Sequence, residues 1–159
     1  MKIKLLFISF LIIGSTLAGC SSGASEDTGD TQHAHGDMRE ETASAAELPA
    51  FLDEKPEDMQ MLYTAAGQSK DLLEQMPCYC GCGDSAGHRN NYDCFIHENK
   101  ESGAVTWDDH ATKCGVCLEI AAQAIIDHQD GKSVKEIRDE IDKAYEEGYA
   151  EPTPTPAVS

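Results

Sequence analysis

The sequence predicts a mainly α domain: a small bundle of three or four helices with a long cysteine-rich irregular loop. Three observations carry this expectation. Apolar residues recur at helical spacing in separate stretches between Met59 and Tyr145. Helix-start and helix-stop residues bracket those stretches. Between them, Pro77 to Val105 holds four cysteines and glycines at 81, 83, 87 and 103 with no sustained period.

In chain order, residues 1–19 read as a lipoprotein signal peptide. Lys2 and Lys4 give a positive start, an apolar run spans Leu5 to Ile13, and Leu17-Ala18-Gly19-Cys20 closes the segment. A positive start, a short apolar run and small residues before the cut mark a secretory signal. The run falls short of the about 20 residues that span a bilayer. Leu-Ala-Gly-Cys is similar to the bacterial lipobox, which implies cleavage before Cys20 and a diacylglyceryl thioether on its sulfur. Two or more acyl chains anchor stably, where one is marginal. The expected location is therefore the extracytoplasmic face of the cell membrane, held to lipid through Cys20.

Residues 20–47 read as a disordered acidic tether. From Ser21 to Glu47 there is no aromatic residue and no Ile, Leu or Val, too little apolar surface to offset the entropy of ordering. His33 and His35, with Asp37 and Met38 nearby, are the one feature able to hold a metal loosely. Residues 48–149 form the folded helical domain, and 150–159 a Pro/Thr-rich extended tail. A domain of about 100 residues has a small core and often leans on disulfides or a metal.

The net charge is −17, and loss of Lys2 and Lys4 with the signal takes it to −19. Such acidity argues against nucleic acid and anionic lipid surfaces and favours cationic partners and metal ions.

Pro56-Glu57-Asp58 opens the first helix, with proline and acids where a first turn favours them. Met59, Leu62, Ala66, Leu72, Leu73 and Met76 follow up to Pro77, and Gly67 is placed to divide the run into two shorter helices. Thr106 then reads as an N-cap with Asp108 and Asp109 in the first turn. That helix should run to Asp127 or His128, with Val116, Ile120, Ala121, Ala124 and Ile125 as its stripe. Ser133 and Glu136 form a capping box. Val134, Ile137, Ile141 and Tyr145 give the packing face of the last helix, which Gly148 ends.

Besides Cys20 there are six cysteines: Cys78, Cys80, Cys82, Cys94, Cys114 and Cys117. An even number in an exported chain is ordinarily a disulfide framework, so a disulfide-stapled surface module is one reading. The alternation Cys78-Tyr-Cys80-Gly-Cys82 strains neighbouring pairs and sends each sulfur to a distant partner. Within the expected helix, His110, Cys114 and Cys117 fall at i, i+4 and i+7, on one face. Cys114-x-x-Cys117 also has the form of a thiol–disulfide redox pair. The expected position of Cys114, two turns inside its helix, argues against that role, because a reactive cysteine sits at a helix N-terminus. His88 and His97 flank Cys94 and stand as reserve ligands.

Pro77-Cys-Tyr-Cys-Gly-Cys82 resembles the motif that names the PCYCGC motif-containing lipoproteins of Bacillus-type bacteria. The resemblance covers about Leu48 to Tyr149. It implies kinship and a lipid-anchored location, and it implies no particular activity.

Six thiols and one to three imidazoles exceed the four ligands of a tetrahedral zinc, and soft sulfur selects Cu(I) or Zn. The expected ligands are Cys78, Cys80, Cys82, Cys94, Cys114, Cys117 and His110, with copper(I) as the metal, zinc as the alternative, and copper-handling membrane or extracytoplasmic proteins as partners. No His-Glu-x-x-His pair and no glycine-rich phosphate loop is present, so a carrier or buffer is expected rather than an enzyme.

Overall fold

The structure is a computed structural model that describes residues 36–158. Cys20, His33 and His35 lie outside the described residues. The elements in chain order are strand β1 (Arg39–Thr42), helices α1 (Glu57–Gln68) and α2 (Lys70–Leu73), and a single helical turn α3 (Gly83–Ala86). Strands β2 (Ile96–Asn99) and β3 (Val105–Asp108) follow, then helices α4 (Gly115–Gln129) and α5 (Val134–Ala144). The protein is mainly helical with an irregular cysteine-rich region.

Helix α4 is central and packs on α1, α2 and α5. Its buried stripe of Cys117, Ile120, Ala121, Ala124 and Ile125 follows the 3.6-residue period. Helix α5 lays Ile137 and Ile141 against it, and both halves of the Ser133–Glu136 capping box form. The α1–α2 break falls at Ser69 rather than Gly67. Gly67 serves packing instead: a Cβ there would lie 2.9 Å from the Trp107 ring.

Three expectations are corrected. Thr106 does not cap a helix; Val105–Asp108 is the central strand of a three-stranded antiparallel sheet ordered β1-β3-β2. Pairing on both sides satisfies its backbone, and Trp107 is fully buried, its Nε1–H donating to Thr42 Oγ1 at 2.8 Å. The Thr-x-Asp-Asp string only imitates a cap. The tether does not extend to residue 47, because β1 joins the sheet and Arg39 Nε donates to the fully buried Asp108 Oδ2 at 2.9 Å. A backbone ladder and a buried ion pair order this segment, so its poverty in apolar residues did not decide its fate. Finally, helix α4 begins at Gly115 and Cys114 is its N-cap, while His110 sits on a 3₁₀ turn, His110–Lys113. The buried turn over Tyr92–Cys94 and strand β2 also give the 77–105 stretch more order than its composition implied.

Candidate metal centre

Pro77, Cys78 and Tyr79 are buried, and the Pro77–Cys82 loop is pinned by the elements around it. Tyr79 donates its hydroxyl to Asp142 Oδ1 at 2.6 Å and stacks on Tyr145, with ring centroids 5.3 Å apart. The extended C-terminal tail straps the backbone. Cys78 N–H donates to Thr153 Oγ1 at 2.9 Å, Thr153 N–H to Cys78 C=O at 3.1 Å, and Ala150 N–H to Tyr79 C=O at 3.2 Å. Gly81, at φ +78°, makes the turn that follows. With Tyr79 turned to α5, Cys78 and Cys80 turn together the other way, their sulfurs 3.0 Å apart.

The opposing half comes from the end of β3 and the start of α4. Asp108 Oδ1 accepts the His110 N–H at 2.9 Å. His110 Nδ1 lies 2.9 Å from Asp37 Oδ2, and Nε2 is buried with no hydrogen-bond partner. A carboxylate on Nδ1 fixes its proton there and leaves Nε2 as the donor atom, the usual second-sphere device for a metal-binding histidine. Lys113 Nζ holds Asp37 and Asp109, at 3.4 and 2.8 Å. Asn91 secures the third side, with its N–H on Met76 C=O at 2.8 Å and its Nδ2 on Cys117 C=O at 3.1 Å.

Donor atoms of Cys80, His110, Cys114 and Cys117 all lie within 4.8 Å of one another, and so do those of Cys78, Cys94 and Cys117. Cys78 Sγ is 3.3 Å from Cys117 Sγ and 3.9 Å from Cys94 Sγ. A tetrahedral ion with metal–sulfur bonds of about 2.3 Å separates its sulfurs by about 3.8 Å, so these clusters could coordinate a metal ion. All six cysteines are free thiols, and the shortest sulfur separation, 3.0 Å, is well beyond the about 2.05 Å of a disulfide.

Cys82 joins neither group. Its Sγ lies 3.9 Å from Cys80 C=O, but its partly exposed thiol lines the same open cavity of about 510 Å³ as Asp37, Cys80, His110 and Cys114. His88 is buried against His110, and His97 is not in the cluster but pairs with Arg39 at 3.3 Å. Sequence reasoning gave Asp37 no role at the centre and did not see Asp108 as a support. Asp37 stood beside His33 and His35 in a stretch whose composition hid its order. Nothing local marked Asp108.

Gly83-Asp84-Ser85-Ala86-Gly87 has the Gly-x-Ser-x-Gly spacing of a hydrolase nucleophile elbow. That elbow needs a strand, a sharp turn and a base. Here the string is the helical turn α3, and the exposed Ser85 donates to Cys82 C=O at 3.1 Å.

The electrostatics are those of a shared charge. Hydrogen bonds from Cys114 and then Cys117 pull the Cys80 thiol down to about 4. Cys117 is pushed far up, first by Cys114 and then by Cys78, because its neighbours compete for the same charge. His110 is raised to about 12, by Cys114 first, then Cys80 and Asp37, so the metal-free ring is protonated on both nitrogens and Nε2 would give up its proton to bind an ion. The α4 N-terminus adds its positive end to the cluster.

A small helical domain whose cysteine and histidine clusters could coordinate a metal ion is the class that fold and site define. The chain belongs to the family described as proteins of unknown function with a PCYCGC motif, matched over residues 9–158. No curated protein and no solved structure matches it. Among the described residues no helix is long and apolar enough to cross a membrane.

The shift at Cys80 has a direct consequence. A thiol lowered from about 9 to about 4 is ionised at neutral pH and takes up its proton only as pH falls toward about 4; any stability it lends is lost in that direction. Thiolate ultraviolet absorbance of the reduced, metal-free protein should therefore persist at pH 5 (more than about three units below an ordinary thiol's range), where Cys94, lowered only to about 6, is mostly protonated, and be largely abolished there by Cys80→Ser. Absorbance that rises only near the usual thiol range would contradict this.

Proposed function

We propose that this protein is a lipid-anchored metal carrier or buffer on the extracytoplasmic face of the cell membrane, with Cu(I) as its cargo. Cys80, Cys114, Cys117 and His110 hold the ion, Cys78 and Cys94 back it, and Cys82 exchanges it at the cavity mouth. The observation that carries this reading is the convergence of three sulfurs and a carboxylate-oriented imidazole beside an open cavity. Soft sulfur favours Cu(I) over harder ions. Partly exposed ligands suit an ion that is passed on, since transfer between thiolates proceeds by ligand exchange. The acidic surface favours copper-handling partners with a cationic docking face.

Two observations support other readings. Three cysteines and one histidine are also a structural zinc set. Cys114, at the N-cap of α4 with Cys117 three residues on, stands where the first cysteine of a redox pair stands. The sequence-based reason for setting redox chemistry aside is thereby removed.

The reduced protein, handled without oxygen and loaded with Cu(I) against a competing chelator, should bind tightly. Protons compete for the same donors, so affinity should weaken as pH falls. Cys80→Ser and Cys114→Ser should each abolish tight binding, and Asp37→Asn should weaken it about 10–100-fold. Zinc in protein isolated from cells would make zinc the cargo. A Cys114–Cys117 disulfide that cycles with a dithiol reductant, with no metal bound, would favour the redox reading. Six oxidised sulfurs and no metal before or after reduction would leave the disulfide scaffold.

Anchoring rests on Leu17-Ala-Gly-Cys20. Cys20→Ala should give an unlipidated product, either uncut or shed from the cell. Unchanged processing and unchanged globomycin sensitivity would contradict the anchor.

A further inference from the structure

The Cys117 sulfur belongs to both thiol groups, and one ion does not use the second group fully. We propose that the centre is dinuclear: a second Cu(I) is held by Cys78, Cys94 and Cys117, with the Cys117 thiolate bridging the two ions. This rests on the metal-carrier reading above and says how its buried half is used.

Cys78, Cys94 and Cys117 are each no more than 1 % exposed, so this half lies behind the open one. Free cysteines are often buried as small hydrophobes, and that is the plain alternative. Against it stand the separations. Cys78 Sγ lies 3.3 Å from Cys117 Sγ and 3.9 Å from Cys94 Sγ, and the three donor atoms all lie within 4.8 Å of one another. Sulfurs that share one ion stand about 3.8 Å apart, so small movements of these side chains bring all three onto one ion. Two monovalent ions would offset thiolates that a buried pocket could not otherwise hold together. Three thiolates are also a sufficient set for Cu(I), which needs no fourth ligand.

His88 is an independent observation on the same compartment. It is 6 % exposed, and both ring nitrogens are buried without a hydrogen-bond partner. One of them lies within 4.8 Å of the donor atoms of Cys94 and His110, and the ring meets His110 edge-on, with centroids 4.5 Å apart. A buried imidazole beside Cys94 that makes no hydrogen bond, its Nε2 4.0 Å from Asp108 Oδ2, is a donor in reserve for the inner ion. Binding is not a redox step. Each thiol that engages releases its proton to solvent, and copper enters and remains as Cu(I).

The test uses the full chain carrying Cys20→Ser, so that only the six domain thiols can bind. It is reduced without oxygen in detergent, titrated with Cu(I) against a chelator, and followed by copper-edge X-ray absorption. The unmodified centre should take two coppers and show copper–copper scattering. Cys94→Ser should take one copper and lose that scattering; Cys117→Ser should lose both. The scattering signal in the unmodified centre keeps the test decisive if Cys94→Ser does not fold. One copper without copper–copper scattering, or two coppers retained by a folded Cys94→Ser, would overturn the dinuclear centre and leave the single-ion carrier standing. No copper at all would overturn both.

Discussion

Asp108 ends the central strand fully buried, and much of the site hangs from it. One carboxylate oxygen accepts Arg39 Nε at 2.9 Å, the other accepts the His110 N–H at 2.9 Å, and its carbonyl accepts the Tyr63 hydroxyl at 3.0 Å. The Arg39 bond docks β1, and docking β1 brings Asp37 to His110. Asp37 then orients the imidazole so that Nε2 lies among the sulfurs. Removing one member of a buried ion pair costs about 3–5 kcal/mol, because it strands the other charge. The same carboxylate therefore supports the sheet and the centre together.

The centre has an inner and an outer side. Cys78, Cys94 and Cys117 are buried, whereas Cys80, Cys82 and Cys114 are partly exposed at the cavity. Two separate parts of the chain supply the halves: a loop pinned by Tyr79 and the C-terminal tail, and the junction of β3 with α4. Neither is a complete metal site. An ion bound between them would add to folding energy, as it does in small metal-dependent domains. That suits a domain with a limited core.

The helical framework was legible where periodicity and capping were strong. Helix α5 shows both its capping box and its Ile137–Ile141 face. The docking of β1 was not legible, because its pairing with β3 joins residues 63 (Thr42 with Val105) to 69 (Arg39 with Asp108) apart in sequence and Arg39 finds its partner only in the folded chain. At the site, residue type was informative and element was not. His110, Cys114 and Cys117 do converge, yet through a 3₁₀ turn and a helix N-cap rather than along one helix face. Thr106-Trp-Asp-Asp misled because strand residues there carry the same acids that a helix start prefers. Asp37 was hidden by the composition of its surroundings.

The central claim is that one bound metal joins the Pro77–Cys82 loop to the start of α4. Amide hydrogen exchange of the reduced full chain, with and without Cu(I), tests it most directly, because exchange reports local opening segment by segment. Residues 78–82 and 110–117 should slow together on loading, and Cys80→Ser should abolish the slowing in both. Slowing in one segment alone, or in neither while copper is bound, would contradict a shared centre.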